Sequence, residues 1–195
     1  INFDNLSRSY RFNPLKNVSD KTVLMQLMED MLLSMQAKDA KQDEWFAGGL
    51  GILRGVAYRL YDEFKEYCTI PHILTLIMNS SQESLTRFLE QNTISEMMAG
   101  AFLKAKGSEK TQASYISTLS SQIATMATDE NVAWVLSGND FDFNLIDPEH
   151  PKMFAVSNNF SKNSVYSPVI AMLLSISSRQ FTMQNKVPFV YFLDE

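Results

Sequence analysis

A single cysteine, Cys68, in 195 residues removes two chemistries at once. No intramolecular disulfide can form and no cysteine-based zinc site can be assembled, which fits a reducing compartment. Cys68 reads as a small buried hydrophobe rather than a reactive thiol. Histidine is nearly as scarce: His72 and His150 lie far apart without neighbouring ligands, so no metal site is expected. Seventeen Lys and Arg against 22 Asp and Glu leave a formal charge of −5. That is a poor balance for a free-standing duplex-binding domain, which must neutralise phosphates. The local basic spots Arg8/Arg11/Lys16 and Lys104/Lys106/Lys110 read first as solvated surface. Long apolar runs are missing too. Val169 to Leu174 and Phe189 to Leu193 fall far short of the ~20 residues that cross a bilayer. No basic stretch leads into an apolar leader, and Ile1 as first residue points to a start within a longer parent.

What is present is mostly helical pattern. Pro14 biases Asn13 away from helix, so Arg11 to Leu15 reads as a turn, and Asp20 can cap a helix that begins after it. Leu24, Leu27, Met28, Met31 and Met35 then recur at helical spacing, the methionines as core filler. A longer helix is expected from about 43 to 66, with Phe46, Leu50, Leu53, Ala57, Leu60 and Phe64 along one seam. Four of the seven glycines, Gly48, Gly49, Gly51 and Gly55, fall inside it. Each costs up to ~1 kcal/mol against alanine, so a neighbour should approach the backbone closely there. A phosphate loop is the other reading of such a cluster, but no strand precedes it and no Gly-Lys-Ser/Thr comes after it.

Pro71 opens a short helix, Ser80 or Ser81 caps another, and Thr93 starts a third with Ile94, Met97, Met98, Ala101 and Phe102 inward, ended by Gly107. From Thr111 to Thr128 there are no charges, and eight of the 18 residues are Ser or Thr. Ile116, Leu119, Ile123 and Met126 keep a three-four spacing. The second face, small and polar, is either enclosed by neighbours or a recognition surface for a protein.

The last quarter changes character. After the turn Ser137-Gly138-Asn139-Asp140, residues Met153 to Val156 read as a strand, Tyr166 to Thr182 as a helix and Val187 to Leu193 as a buried strand, a βαβ unit. The final strand runs into Asp194-Glu195. An apolar strand ending on adjacent carboxylates is the form of a Walker B segment, in which the aspartate meets nucleotide-bound magnesium and the glutamate polarises water.

The order of these parts, an Asn-Pro-Leu turn, about 120 helical residues, Leu-Ser-Gly-Asn-Asp-Phe-Asp, a βαβ unit and a Walker B strand, resembles the TraG/TraD-type coupling proteins of type IV secretion and bacterial conjugation. The resemblance spans essentially the whole chain. It implies a mainly α fold: an all-α domain at 20–138 inserted into a partial P-loop-type α/β nucleotide-binding domain, which contributes 1–19 and 139–195. It assigns Glu195 as catalytic and Asp194 to magnesium, with ATP and Mg as cofactors of the intact parent and none for this part alone. It implies relaxase or relaxosome proteins and single-stranded DNA as partners; on composition, the uncharged face from Thr111 to Thr128 and the group Lys104, Lys106 and Lys110 are the candidate contacts. The parent would be a homohexamer at the cytoplasmic face of the inner membrane. Two other readings stay open: another hexameric DNA-motor ATPase, and a non-enzymatic helical interaction module with an accidental Asp-Glu.

Overall fold

Seven of the α-helices among the described residues begin at a residue whose side chain accepts a backbone N–H of the first turn. These caps are Asp20, Asp43, Thr69, Ser81, Asn92, Ser108 and Asp129. Each cap satisfies a donor that the helix itself cannot, and is worth about 1 kcal/mol. They open α1 (Lys21–Ser34), α2 (Glu44–Phe64), α3 (Ile70–Asn79), α4 (Gln82–Glu90), α5 (Thr93–Met98), α7 (Glu109–Ala127) and α8 (Glu130–Val135). Between α5 and α7 lies α6 (Gly100–Lys104), and the last helix is α9 (Asn163–Gln184). The structure is a computed structural model that describes residues 1–16, 18, 20–36, 40–141, 143–184 and 188–192, omitting the side chains of 183 and 184.

The long helix α2 is the centre. Phe46, Leu50, Leu53, Ala57 and Leu60 are buried on it as their spacing predicts, while Phe64 at its end is exposed. The close approach expected at its glycines is there. A Cβ at Gly51 would stand 2.6 Å from the Met98 carbonyl oxygen, and one at Gly55 would stand 2.7 Å from Leu89 Cδ2. At Gly48 it would meet the ring of Tyr115. Helices α5 and α7 therefore cross α2 at a separation that any side chain would widen.

That crossing corrects the reading of α5. The inward residues are Ser95, Ala99 and Phe102, whereas Met97 is 72% exposed and Ile94 also faces out. Small side chains are needed against the glycine stripe, and Ser95 Oγ donates to the Gly55 carbonyl at 2.8 Å. The single helix expected from Thr93 to Gly107 is also interrupted, with Ala99 (φ −85°, ψ 16°) between α5 and α6. The methionines of α1 behave as their spacing predicts: Met28 and Met31 are fully buried.

Among the described residues the chain is all-α and contains no strand, so the βαβ unit is not found. A strand exists only as part of a ladder. Near Met153–Val156 the ladder is one residue long: the Ile1 nitrogen donates to Ala155 O at 2.6 Å and Ser157 N donates to Ile1 O at 2.9 Å. Residues 188–192 form no strand; their contacts run through side chains to α9, and Phe192 is 92% exposed rather than buried. The helix between them is longer than predicted and begins at Asn163, which places Pro168 inside it.

One continuous core runs through all of this. It joins Phe3, Phe12 and Leu15 near the start, the faces of α1, α2, α3 and α7, and Phe143, Tyr166, Val169 and Leu173 near the end. Phe3 stacks on Tyr166 with ring centroids 4.4 Å apart. Cys68 is 1% exposed, and burial pushes its thiol up to about 12, in keeping with an inert hydrophobe.

Candidate functional site

Two regions carry the residues that the sequence singles out. The first is α7. Its apolar side turns in through Tyr115, Leu119, Ile123 and Met126, and its uncharged polar side turns out, with Ser114, Ser117, Ser121 and Thr125 exposed in one strip. The helix is therefore enclosed only in part: Gln112 is buried and donates to Phe102 O, whereas the strip from Ser114 to Thr125 is left uncovered. At the C-terminal end of the strip a cavity of about 300 Å³ is lined by Met35, Gln36, Ser121, Gln122, Thr125 and Ser164, among others. The Oε1 atom of Gln122 is buried with no hydrogen-bond partner among the described residues.

The three lysines stand at the other end of α7 but do not act alike. Lys106 Nζ pairs with Glu90 at 2.8 Å, so its charge is already partnered. Lys104 and Lys110 are exposed, and neither forms an ion pair among the described residues. A recognition surface here is therefore a neutral hydroxyl strip flanked by two lysines, with little net charge of its own.

The second region is the approach to the terminal carboxylates. Asp194 and Glu195 themselves lie outside the described residues, as do Val187 and Leu193. The segment before them is held by α9: the Tyr191 hydroxyl lies 3.0 Å from Ser177 Oγ and 2.8 Å from Ser178 Oγ, and the Phe189 ring packs on Phe181 at 5.4 Å. No group of His, Cys, Asp and Glu that could hold a metal occurs among the described residues. His72 is exposed, and His150 Nδ1 sits 3.0 Å from Asp147 Oδ2 in a surface turn.

The predicted Asn-Pro-Leu turn is the base of a clasp that sequence reasoning missed. Asn13 is 1% exposed; its Oδ1 accepts from Leu15 N, while its Nδ2 donates to the carbonyls of Glu66 (3.2 Å) and Cys68 (2.8 Å). Its own N–H donates to Asn139 Oδ1 at 3.2 Å. One residue earlier, Phe12 N donates to Val135 O at 2.7 Å. Arg11 then grips Asp140 by backbone and side chain: N to Oδ2 and Nη2 to Oδ1 are both 2.8 Å, and Asp140 N returns a bond to Arg11 O. Gly138 leaves room for this, since a Cβ there would meet Arg11 Nε at 2.8 Å. The clasp closes the point where the chain enters and leaves the helical region. Its members are separated by some 129 residues, so no local pattern announces it.

No helix of the described residues is long and apolar enough to cross a membrane. No curated protein and no solved structure matches the chain. A family model described as "Type IV secretory system Conjugative DNA transfer" matches residues 1–195, the full span over which the Asn-Pro-Leu turn, the helical region and the terminal Asp-Glu are ordered. The chain belongs to the type IV secretory system conjugative DNA transfer family.

Proposed function

We propose that this chain is the helical and Walker B part of a conjugation coupling ATPase. The observation that carries the reading is the family match across residues 1–195. Asp194 is assigned to the magnesium that accompanies ATP, and Glu195 to the attacking water, which it orients and whose proton it accepts. Bound magnesium would supply charge neutralisation on the phosphates. The phosphate-binding loop is not in this sequence, so ATP binding belongs to the intact parent, which we take to be a homohexamer at the cytoplasmic face of the inner membrane.

The helical region, in this reading, engages the relaxase or another relaxosome protein, while the ring moves single-stranded DNA. Support comes from the exposed strip Ser114, Ser117, Ser121 and Thr125, four uncharged side chains with hydrogen-bonding hydroxyls, with the exposed Lys104 and Lys110 toward the start of the same helix. Such a face suits a specific and reversible protein contact better than a permanent one. The test of the enzymatic assignment is Glu195→Gln in the full-length protein. ATP binding should be retained and turnover lost, measured by nucleotide binding and phosphate release; wild-type turnover in that variant removes the role.

A further inference from the structure

Where the end of α1, the second half of α7 and the first turn of α9 come together, they border the cavity of about 300 Å³. One atom there is out of balance. Gln122 Oε1 is buried without a partner, and among the described residues no other buried side-chain nitrogen or oxygen is left so. The same residue type nearer the start of α7 shows the contrast: Gln112 Oε1 accepts from Gln82 Nε2 at 2.9 Å, and Gln112 Nε2 donates to Phe102 O at 3.0 Å. Hydroxyls close to Gln122 in sequence are also satisfied, Ser121 Oγ by the Thr118 carbonyl and Thr128 Oγ1 by that of Ala124. A buried acceptor kept without a donor costs stability, and it calls for a donor from outside the chain.

The surroundings of Gln122 restrict what that donor can be. Met35 and Met126 give the cavity thioether walls, which adapt their shape to a chain of methylenes. Thr125 and Ser164 add exposed hydroxyls, and no described lining residue is charged. A cation placed here would lose hydration without gaining a counter-charge. An ionised carboxylate has no proton to give Gln122 Oε1, and an aliphatic group would leave that atom unpaired. A primary amide meets both demands: its N–H donates to Oε1, and its carbonyl can accept from the hydroxyls. The volume is at the low end of the about 300–1,000 Å³ of small-ligand sites and suits one side chain. Ser121 and Thr125 line the cavity and also belong to the exposed strip, so a polypeptide lying along α7 passes the mouth.

We propose that the cavity beside Gln122 is an anchor site for the amide side chain, glutamine or asparagine, of a protein segment that lies along the α7 strip. That the amide belongs to a protein rests on the functional reading above. The preference for a primary amide is a property of this chain alone.

The two parts are tested separately. In the 195-residue chain with methyl-labelled methionine, N-acetyl-glutamine methylamide should shift the Met35 and Met126 methyl resonances saturably, with a Kd on the order of millimolar. N-acetyl-methionine methylamide, of similar length but without the amide, should bind about tenfold more weakly or not at all. Gln122→Met should weaken binding of the glutamine probe by about the same factor and leave the Tm at or above that of the wild type, because it removes the unpaired acceptor. Thr125→Arg, a change at an exposed position, should block the mouth and abolish the shifts. Equal binding of the two probes, wild-type binding in either variant, or a lowered Tm in Gln122→Met overturns the site. In the full-length protein, Gln122→Met should lower DNA transfer with ATP turnover unchanged. Amide binding together with unchanged DNA transfer refutes the protein occupant and with it the reading of α7 as a docking face. Failed amide binding refutes the pocket and leaves that reading standing.

Discussion

Close approach at α2 is decided atom by atom. Replacing Gly51 by alanine recovers up to ~1 kcal/mol of helix propensity. It also sets a methyl 2.6 Å from the Met98 carbonyl oxygen, a backbone atom of a packed helix that cannot swing aside. Overpacking of this kind costs about 1–3 kcal/mol, so Gly51→Ala should be destabilising overall, by about 1–2 kcal/mol. Gly107, with nothing within 4 Å of its Cβ position, should tolerate alanine unchanged. Urea unfolding of the two variants decides the matter; a Gly51→Ala midpoint at or above wild type would rule out the tight crossing. The glycine cluster was legible in the sequence as a demand for proximity. Which atom would come close was not, because it depends on Met98, 47 positions further along the chain.

At the level of elements, caps and turns were readable because they are local. Asp20 and Ser81 accept the N–H groups predicted for them, and Asn13 makes its turn with Leu15 N. The facing of α5 was not, since apolar spacing favoured Ile94 and Met97 while the glycine stripe admits only Ser95 and Ala99. The clasp between the segment before α1 and the segment after α8 was equally hidden. It has a consequence in pH. The side-chain and backbone bonds from Arg11 hold the Asp140 carboxyl below the ordinary aspartate range, so its folded pKa is depressed. Stability from such a group is present above the unfolded value of about 3.9 and is lost as pH falls through the folded value. Wild type should therefore melt higher than Asp140→Asn near neutral pH, with the gap closing as pH falls below about 4. A Tm gap that stays constant from about pH 7 to about pH 3 would show that the bond carries no charge component.

For the molecule as a whole, the core matters more than the order of segments. Residues from 1–19, 20–138 and 139–195 contribute to one buried cluster, and α9 lies against both α1 and α7. A core shared in this way makes the parts unfold together. Single-tryptophan proteins made by Trp45→Phe and Trp134→Phe place the remaining reporter at Trp134, beside the clasp, or at Trp45, against Tyr115 of α7. Their urea transitions should coincide with each other and with the loss of helical circular dichroism. Separate midpoints would instead mark independently folding units.

The sequence by itself determined where capped helices such as α1, α2 and α4 begin, most of the residues that fill the core of α1, α2 and α7, that no intramolecular disulfide stabilises them, and the ordered motifs by which the family is recognised. Those features rest on caps, spacing and composition, which act over a few residues. Only the tertiary structure decided that Ser95 rather than Met97 faces α2, that Arg11 finds Asp140, and that α9 lies against both α1 and α7. It also decided that the segments near Val156 and Tyr191 form no sheet among the described residues, whatever their apolar pattern. The physical reason is the same in each case. Close approach, ion pairing and ladder formation depend on partners brought together across long stretches of chain, and a strand or a salt bridge exists only once its partner is in place.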